Sequence, residues 1–438
     1  MMLSALGFLM VAAFMILIMT KRMAPIVALI VVPVAFGLLA GFGGQLGPMM
    51  LDGITRMVST GVMLMFAILY FGIVTDAGLF DPVVRTLLKI VDNDPVKVVV
   101  GSVVLAAMVS LDGDGSTTYM ITAAAFMPLY RRIGLNPMIM ACLLLCASGI
   151  MNIIPWGGPT ARAATALQID SSGVFIPLVP AMAVGLAWLV VLAIYLGRQE
   201  RKRLGALSLP AEAHPALDGA TFSVSTDPAM CRPRLVYVNA ALTLILMVLL
   251  VMAVLPLPVL FMCGFAVAAI LNYPQPAVLK TRVAQHAPNV LAVVSLIFAA
   301  GIFTGILSGT GMVEAMSKSL LAVIPPSLGP YLAPITGIIS IPMTFFISND
   351  AFYFGMLPVL AEAASHYGLS AQQMASAALV GQPVHLLSPL VPSTWLLAGL
   401  AGVDFGEYQK FTLKWATATS VVLLIAGLLF GAFPLRAG

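Results

Sequence analysis

Charged residues are scarce in this chain. Asp, Glu, Lys and Arg make up only 9% of its 438 residues, whereas 61% of the residues are hydrophobic. A soluble domain carries about 25% charged residues. A membrane span needs roughly 20 apolar residues, and the chain contains many such stretches. The composition therefore excludes an ordinary soluble protein and predicts an all-α polytopic membrane protein.

Cysteines are few, and the common catalytic motifs are missing. The four cysteines are scattered through apolar segments and have neither zinc-site spacing nor a disulfide pattern. The sequence has no Walker loop, no Gly-x-Ser-x-Gly and no His-Glu-x-x-His. Basic residues cluster at the ends of apolar segments, which is typical of membrane topology rather than nucleic-acid binding. We therefore expect no enzyme activity, no permanently bound cofactor and no nucleic-acid partner.

Apolar segments fall into two similar sets on either side of a polar loop at 198–234, which its basic start places in the cytoplasm. The predicted spans of the first set are 3–19, 25–42, 57–75, a hairpin within 96–130, 138–154, 160–169 and 174–197. Those of the second set are 236–255, 257–272, 288–308, a hairpin within 330–366, 371–388, 393–401 and 411–433. All basic clusters lie on one side if 96–130 turns back within the membrane, so we predict a re-entrant hairpin.

Motifs of the first half recur in the second at an offset near 233 residues. Phe71-Gly-Ile-Val-Thr-Asp-Ala-Gly78 recurs as Thr304-Gly-Ile-Leu-Ser-Gly-Thr-Gly311, and a Pro-rich segment at 152–159 recurs at 385–392. We predict two inverted repeats, 1–197 and 235–438. Inverted repeats place a substrate site near the bilayer midplane, between hairpin tips and broken helices.

The tip of the first predicted hairpin carries two carboxylates. A charge at membrane depth costs at least about 2.5–3.5 kcal/mol, so it usually faces protein, an ion or a substrate. An Asp-x-Asp with nearby hydroxyls offers the hard oxygen ligands that suit Mg²⁺ or Ca²⁺, while the helix that follows offers free N–H groups to an anion. A capped turn outside the membrane is the alternative interpretation. The candidate site residues of this tip are Asp112, Gly113, Asp114, Gly115, Ser116 and Thr117.

The second tip is predicted at Ser348-Asn349-Asp350. Asn349 can hydrogen-bond a carboxylate, and Asp350 can bind a cation or carry a proton. Asp350 can equally act only as a helix cap. We include Ser348, Asn349 and Asp350 among the candidate site residues.

The first helix break contains Gly157-Gly158-Pro159, which exposes backbone N–H groups. Arginine binds carboxylates in a bidentate manner, so Arg162 is predicted to hold substrate. It can instead neutralise Asp112 or Asp114, or extend to the outer surface. The candidate residues of this break are Asn152, Gly157, Gly158, Thr160 and Arg162.

The second break begins at His385, the counterpart of Asn152. Histidine titrates near neutral pH, so His385 is a candidate proton carrier, and a hydrogen-bonded structural role is the alternative. Ser393 and Thr394 occupy the places of Thr160 and its neighbour and are candidate carboxylate donors.

At these residues the chain resembles the citrate–metal–proton symporter family (CitMHS) of the ion transporter superfamily. The resemblance runs nearly end to end, and its most specific segments are Ser110–Thr118, Ile154–Thr160 and Ser348–Gly355. Superfamily members that move dicarboxylates with sodium carry Ser-Asn-Thr at the tips. The aspartates found here favour a site for a metal already bound to substrate.

The resemblance implies uptake of citrate as a complex with a divalent cation of the Mg²⁺ or Ca²⁺ type, coupled to protons. It also implies a homodimer in the bacterial cytoplasmic (inner) membrane and elevator-type alternating access. Segments 3–42 and 236–272 would form the scaffold, and 96–169 and 330–401 the transport elements. Three alternatives stay open: a dicarboxylate, gluconate or sodium–proton carrier of the same fold, a passive channel, and a membrane scaffold or sensor.

Overall fold

The computed structural model describes residues 2–91, 94–205, 230–252 and 254–438. Over these ranges the chain is helical and contains no strand. Six of the described helices are long and apolar enough to cross a membrane, and shorter apolar helices lie between them. These helices confirm the predicted all-α, multi-pass membrane protein.

The described part of the first half contains nine α-helices: α1 Met2–Met19, α2 Pro25–Leu39, α3 Leu46–Asp76, α4 Asp81–Val91, α5 Pro95–Val109, α6 Gly115–Ile133, α7 Pro137–Met151, α8 Gly158–Leu167 and α9 Ser171–Gly205. A short 3₁₀ turn, Ser110–Asp112, joins α5 to α6. The predicted loop at 198–234 begins as part of α9, and its residues 206–229 lie outside the described ranges.

The described part of the second half contains ten α-helices: α10 Val236–Val251, α11 Leu257–Asn272, α12 Pro276–Gly309, α13 Met312–Leu321, α14 Leu332–Phe346, α15 Leu357–Ser365, α16 Ala371–Ala378, α17 Gln382–His385, α18 Pro392–Ala401 and α19 Phe405–Leu429. A π-helical turn, Ala351–Met356, opens α15. A 3₁₀ turn, Leu379–Gly381, divides α16 from α17.

The order of elements is the same in both halves. Two short apolar helices precede a long one (α3 or α12), a short helix (α4 or α13) and a hairpin (α5–α6 or α14–α15). An interrupted helix follows (α7–α8 or α16–α18), and a long helix (α9 or α19) ends each half. Each repeat therefore has the predicted hairpin and the predicted discontinuous helix.

The long helices α3 and α12 begin about a dozen residues earlier than their apolar runs predict. The first turns of α12 carry Lys280, Arg282 and His286, which on a hydropathy basis resemble a loop. Pro276 in the first turn is compatible with helix because its missing N–H has no partner there in any case. The earlier start of α12 matters because its polar side chains then lie on a helix that packs along α3.

Glycines set the crossing of α3 and α12. A Cβ on Gly53 would overlap the carbonyl oxygen of Gly301, and one on Gly305 would overlap the carbonyl oxygen of Met49. Small residues spaced by four let two helix backbones approach closely in a membrane protein. We expect Gly53→Ala to lower the free energy of unfolding by about 1–3 kcal/mol, because overpacking forces the helices apart.

Thermal unfolding of the purified protein in detergent measures this effect. Gly47→Ala is the matched control on the same helix, since nothing lies within 4 Å of its Cβ position. Equal melting temperatures for the two variants would contradict the close crossing.

Candidate functional site

The first hairpin tip folds around its two aspartates. Gly113 has φ +79°, a left-handed conformation that ends the 3₁₀ turn and that most other residues adopt poorly. Asp112 Oδ1 accepts a hydrogen bond from the backbone N–H of Asp114 at 2.8 Å. Asp114 caps α6, accepting from the N–H of Ser116 at 3.0 Å and from the hydroxyl of Thr117 at 2.7 Å. The acidic turn is therefore rigidly built from its own sequence.

The first helix break lies against this tip. Trp156 Nε1 donates to the carbonyl of Leu111 at 2.9 Å, and its indole stacks on Phe71 of α3 with ring centroids 5.6 Å apart. A Cβ on Gly157 would overlap the carbonyl oxygen of Asn152, so the break needs glycine at that place. The tip, the break and α3 thus form one packed unit.

An ion pair joins the first break to the second tip. Arg162 Nε lies 2.6 Å from Asp350 Oδ1, and the two side chains are 22% and 12% exposed. An atom at the Cβ position of Gly158 would lie 2.8 Å from Arg162 Nη1, so the guanidinium lies over the start of α8. Of the alternatives that the sequence left open, neutralisation of Asp112 or Asp114 is not observed, because Arg162 pairs with Asp350.

The second tip and second break are also in contact. Gln382 Nε2 donates to Asn349 Oδ1 at 3.3 Å and to the hydroxyl of Tyr353 at 2.7 Å. His385 is buried, and its Nδ1 lies 2.7 Å from the carbonyl oxygen of Thr344 at the end of α14. Ser348 Oγ accepts from the N–H of Ala351 at 3.1 Å.

Two buried threonines close the breaks in the same way. Thr160 Oγ1 donates to the carbonyl of Ile153 at 2.9 Å, and Thr394 Oγ1 donates to the carbonyl of Leu386. Both side chains are fully buried. A carbonyl freed where a helix stops inside a membrane must find a donor, and these hydroxyls supply it.

A cavity of about 480 Å³ opens beside the first tip. Its lining comes from the first tip, the first break, α3 and α12, and the polar lining residues are Thr75, Asp112, Asp114, Ser116, Thr117, His286 and Asn289. Within the described ranges neither Asp112 nor Asp114 forms an ion pair. The volume is typical of small-molecule sites, and one wall carries two carboxylates without a basic partner.

The candidate residues divide by position. Those that line the cavity are Asp112, Gly113, Asp114, Ser116, Thr117 and Gly158. Two others lie next to residues of the tip and the break: Arg162 beside Gly158, and Ser393, whose Oγ is 3.9 Å from the Cβ position of Gly115. The other candidates are not among the lining residues and are Gly115, Asn152, Gly157, Thr160, Ser348, Asn349, Asp350, His385 and Thr394. Contacts nevertheless link all four irregular segments.

The side of the cavity formed by α3 and α12 carries residues that the sequence did not single out. Thr75 and Asp76 end α3, and His286 and Asn289 lie in the early turns of α12. Asp76 could have been identified from the sequence, because it is an acidic residue at the end of an apolar run within the repeated motif at 71–78. His286 was missed because the predicted span began two residues after it.

The fold and the site define the class of the chain as a multi-pass membrane transporter. A family described as "Citrate transporter" matches residues 14–381. The chain belongs to this citrate transporter family. Of its relatives in Bacillus subtilis (strain 168), the "Citrate transporter" is 55% identical over 430 residues, which cover 98% of this chain and 99% of the relative. The "Mg(2+)/citrate complex secondary transporter" is 48% identical over 437 residues, which cover 99% and 100%.

Two solved transporter structures share the fold. The YdaH transporter of Alcanivorax borkumensis superposes with a TM-score of 0.58 at 14% identity, covering 90% of each chain. MtrF of Neisseria gonorrhoeae, which represents a class of antimetabolite efflux pumps, superposes with a TM-score of 0.62 at 13% identity, covering 90% of this chain and 85% of MtrF. At such identities the likeness concerns the fold alone, and it confirms the ion transporter fold with two inverted repeats.

Proposed function

We propose that this protein is a secondary active transporter that takes up citrate as a complex with a divalent cation, coupled to protons, across the bacterial cytoplasmic membrane. The observation that carries this proposal is the cavity wall at Asp112 and Asp114, two carboxylates without a basic partner in an otherwise apolar protein. The names of the two Bacillus relatives support citrate as the organic anion, and one of them supports Mg²⁺ as the cation.

Charge favours the complex over free citrate. Citrate carries about three negative charges near neutral pH, and a chelated divalent cation reduces this to about one. A bare trianion would be repelled by Asp112 and Asp114. The complex presents a cation to these carboxylates and a carboxylate to the nearby Arg162, so each exposed charge meets its opposite.

The small number of protein ligands also fits a cation that arrives already bound to citrate oxygens. Ca²⁺ takes about six to eight oxygen ligands, and Mg²⁺ about six in an octahedron. Asp112 and Asp114 together with the hydroxyls of Ser116 and Thr117 supply fewer than that, because Asp114 already caps α6. The remaining positions would be filled by citrate oxygens and water. Mg²⁺ or Ca²⁺ would thus be part of the transported cargo and not a resident cofactor.

The remaining candidate residues complete the proposed site. Backbone N–H groups at the start of α8, with Ser393, would bind carboxylates of the cargo. Protons would be carried by one of the titratable groups Asp112, Asp114, Asp350 and His385. The others are Asn152, Ser348, Asn349, Thr160 and Thr394, and they would hold the tips and breaks in register around the cargo.

Movement of the site across the membrane would follow an elevator mechanism in a homodimer. Segments 3–42 and 236–272 would form the fixed scaffold, and 96–169 and 330–401 would move as the transport elements. The ion pair of Arg162 with Asp350 supports grouping the two transport elements in one moving body, because it joins the first break to the second tip.

Calorimetric titration of citrate into the purified protein tests the proposal. We expect binding in excess Mg²⁺ or another accepted divalent cation and none with a chelator, because the acidic wall repels the free anion. Titration with each divalent cation separately identifies the accepted ones. Equal citrate affinity with and without chelator would refute the metal complex as cargo.

A further inference from the structure

Three ionisable side chains of α3 and α12 lie together beside the cavity. His286 Nε2 lies 2.9 Å from Asp76 Oδ2, and Arg282 Nη1 lies 3.7 Å from the same oxygen. The three side chains are only 9–17% exposed. Nε2 donates to the Asp76 carboxylate, which fixes the orientation of the ring and leaves Nδ1 for a ligand. His286 is therefore held in one position in the lining of the cavity.

Packing fixes the position of this imidazole. A Cβ on Gly72 would lie 2.8 Å from three of the His286 ring atoms, so the ring lies flat against the backbone of α3. Gly72 and His286 both line the cavity. Since any larger residue at 72 would displace the ring, the position of His286 depends on that glycine.

Two further donors share this wall. Asn289 lies three residues after His286, on the same face of α12, and its exposed side chain has no hydrogen-bond partner in the described ranges. Thr75 also lines the cavity, and its buried hydroxyl has no partner among the described residues. A buried hydroxyl without a partner is uncommon, and a ligand in the cavity would supply one.

We propose that Thr75, His286 and Asn289 bind the carboxylate of the cargo that does not coordinate the metal. This inference rests on the proposed function. Citrate chelates a cation through its hydroxyl, its central carboxylate and one terminal carboxylate, which leaves the other terminal carboxylate free. With the metal on Asp112 and Asp114, that free carboxylate would reach the donor wall, the part of the cavity lining formed by Thr75, His286 and Asn289.

The charges around His286 suit an anion on this side. Asp76 is shared with Arg282, and Arg232 lies nearby, since its N–H donates to the carbonyl of Ala77 at 2.9 Å. Other groups that face the cluster or the cavity are Tyr273 beside Arg232, Asp112 and Asp114. The donor wall thus has more hydrogen-bond donors and more positive charge nearby than the acidic tip has.

Competition between two ligands tests this contact. Mg²⁺–citrate and Mg²⁺–citrate 1-monoamide differ only in that one terminal carboxylate of the second is a neutral amide. We expect the unaltered protein to prefer citrate roughly 10- to 100-fold, the usual effect of hydrogen bonds to a charged group. In His286→Ala and Asn289→Ala the preference should fall several-fold or more, mainly through weaker citrate binding.

Gly72→Ala provides a variant that keeps every polar group and moves only the imidazole, and it should also reduce the preference. Gly47→Ala on the same helix has open space at its Cβ position and should keep the preference of the unaltered protein. Unchanged preference in all three wall variants, or equal weakening of both ligands, would overturn the inference while the proposed function stands. Absence of Mg²⁺–citrate binding to the unaltered protein would instead refute the proposed function.

Discussion

Asp114→Asn is expected to fold as the unaltered protein does and to lose uptake of Mg²⁺–citrate. Asn caps helices about as well as Asp, because its amide oxygen still accepts from the N–H of Ser116 and its NH₂ group can donate to the hydroxyl of Thr117. The negative charge on the cavity wall is lost. Groups that merely support a metal ligand contribute roughly 10- to 100-fold to affinity, so we expect loss of a direct ligand charge to cost at least about 100-fold.

Two measurements separate the effect of losing the helix cap from the effect of losing the negative charge. Thermal unfolding should leave Asp114→Asn near the unaltered protein, whereas Asp114→Ala should lose about 0.5–2 kcal/mol for the missing cap. Uptake into proteoliposomes should be lost in both. Asp404→Asn is the matched control, since Asp404 caps α19 on the exposed surface by accepting from Glu407 at 3.0 Å. Normal uptake by Asp114→Asn would remove the acidic tip from the mechanism.

Local chemistry explains why the sequence predicts the tips and breaks. Gly113 and Asp114 end one helix and begin another through a left-handed turn and a cap, both of which depend on neighbours in the chain. Gly157 and Pro159 interrupt α7–α8 in the same local manner. Since such signals lie within a few residues of each other, the irregular segments and their repeat could be read from one sequence.

Partners distant in the chain could not be assigned in this way. The sequence offered Arg162 two acidic partners, Asp112 and Asp114, whereas the packing of α8 against the second tip pairs it with Asp350, 188 residues away. Asp76 and His286 are 210 residues apart, and hydropathy excluded the early turns of α12 from the membrane helix. The donor wall therefore appears only when α3 and α12 are seen together.

Neutralising both members of the Arg162–Asp350 pair is expected to preserve the fold and abolish transport. Arg162→Gln alone leaves Asp350 mostly buried without its partner, which should cost up to about 3 kcal/mol in unfolding free energy. In Arg162→Gln with Asp350→Asn, no charge is left unpaired, and two amides can share a hydrogen bond. We therefore expect the melting temperature to recover in the double variant.

Uptake should not recover with it, because the described lining of the cavity contains no Lys or Arg and the Arg162 guanidinium lies beside Gly158, which lines it. Proteoliposome uptake of Mg²⁺–citrate and thermal unfolding, measured on both single variants and the double variant, form a complete cycle. Arg201→Gln, which breaks the more exposed pair with Asp94, is the control and should change neither quantity much. Full uptake by the stable double variant would make the pair a structural link between the repeats, and the carboxylates of the cargo would then depend on the donor wall and the start of α8 alone.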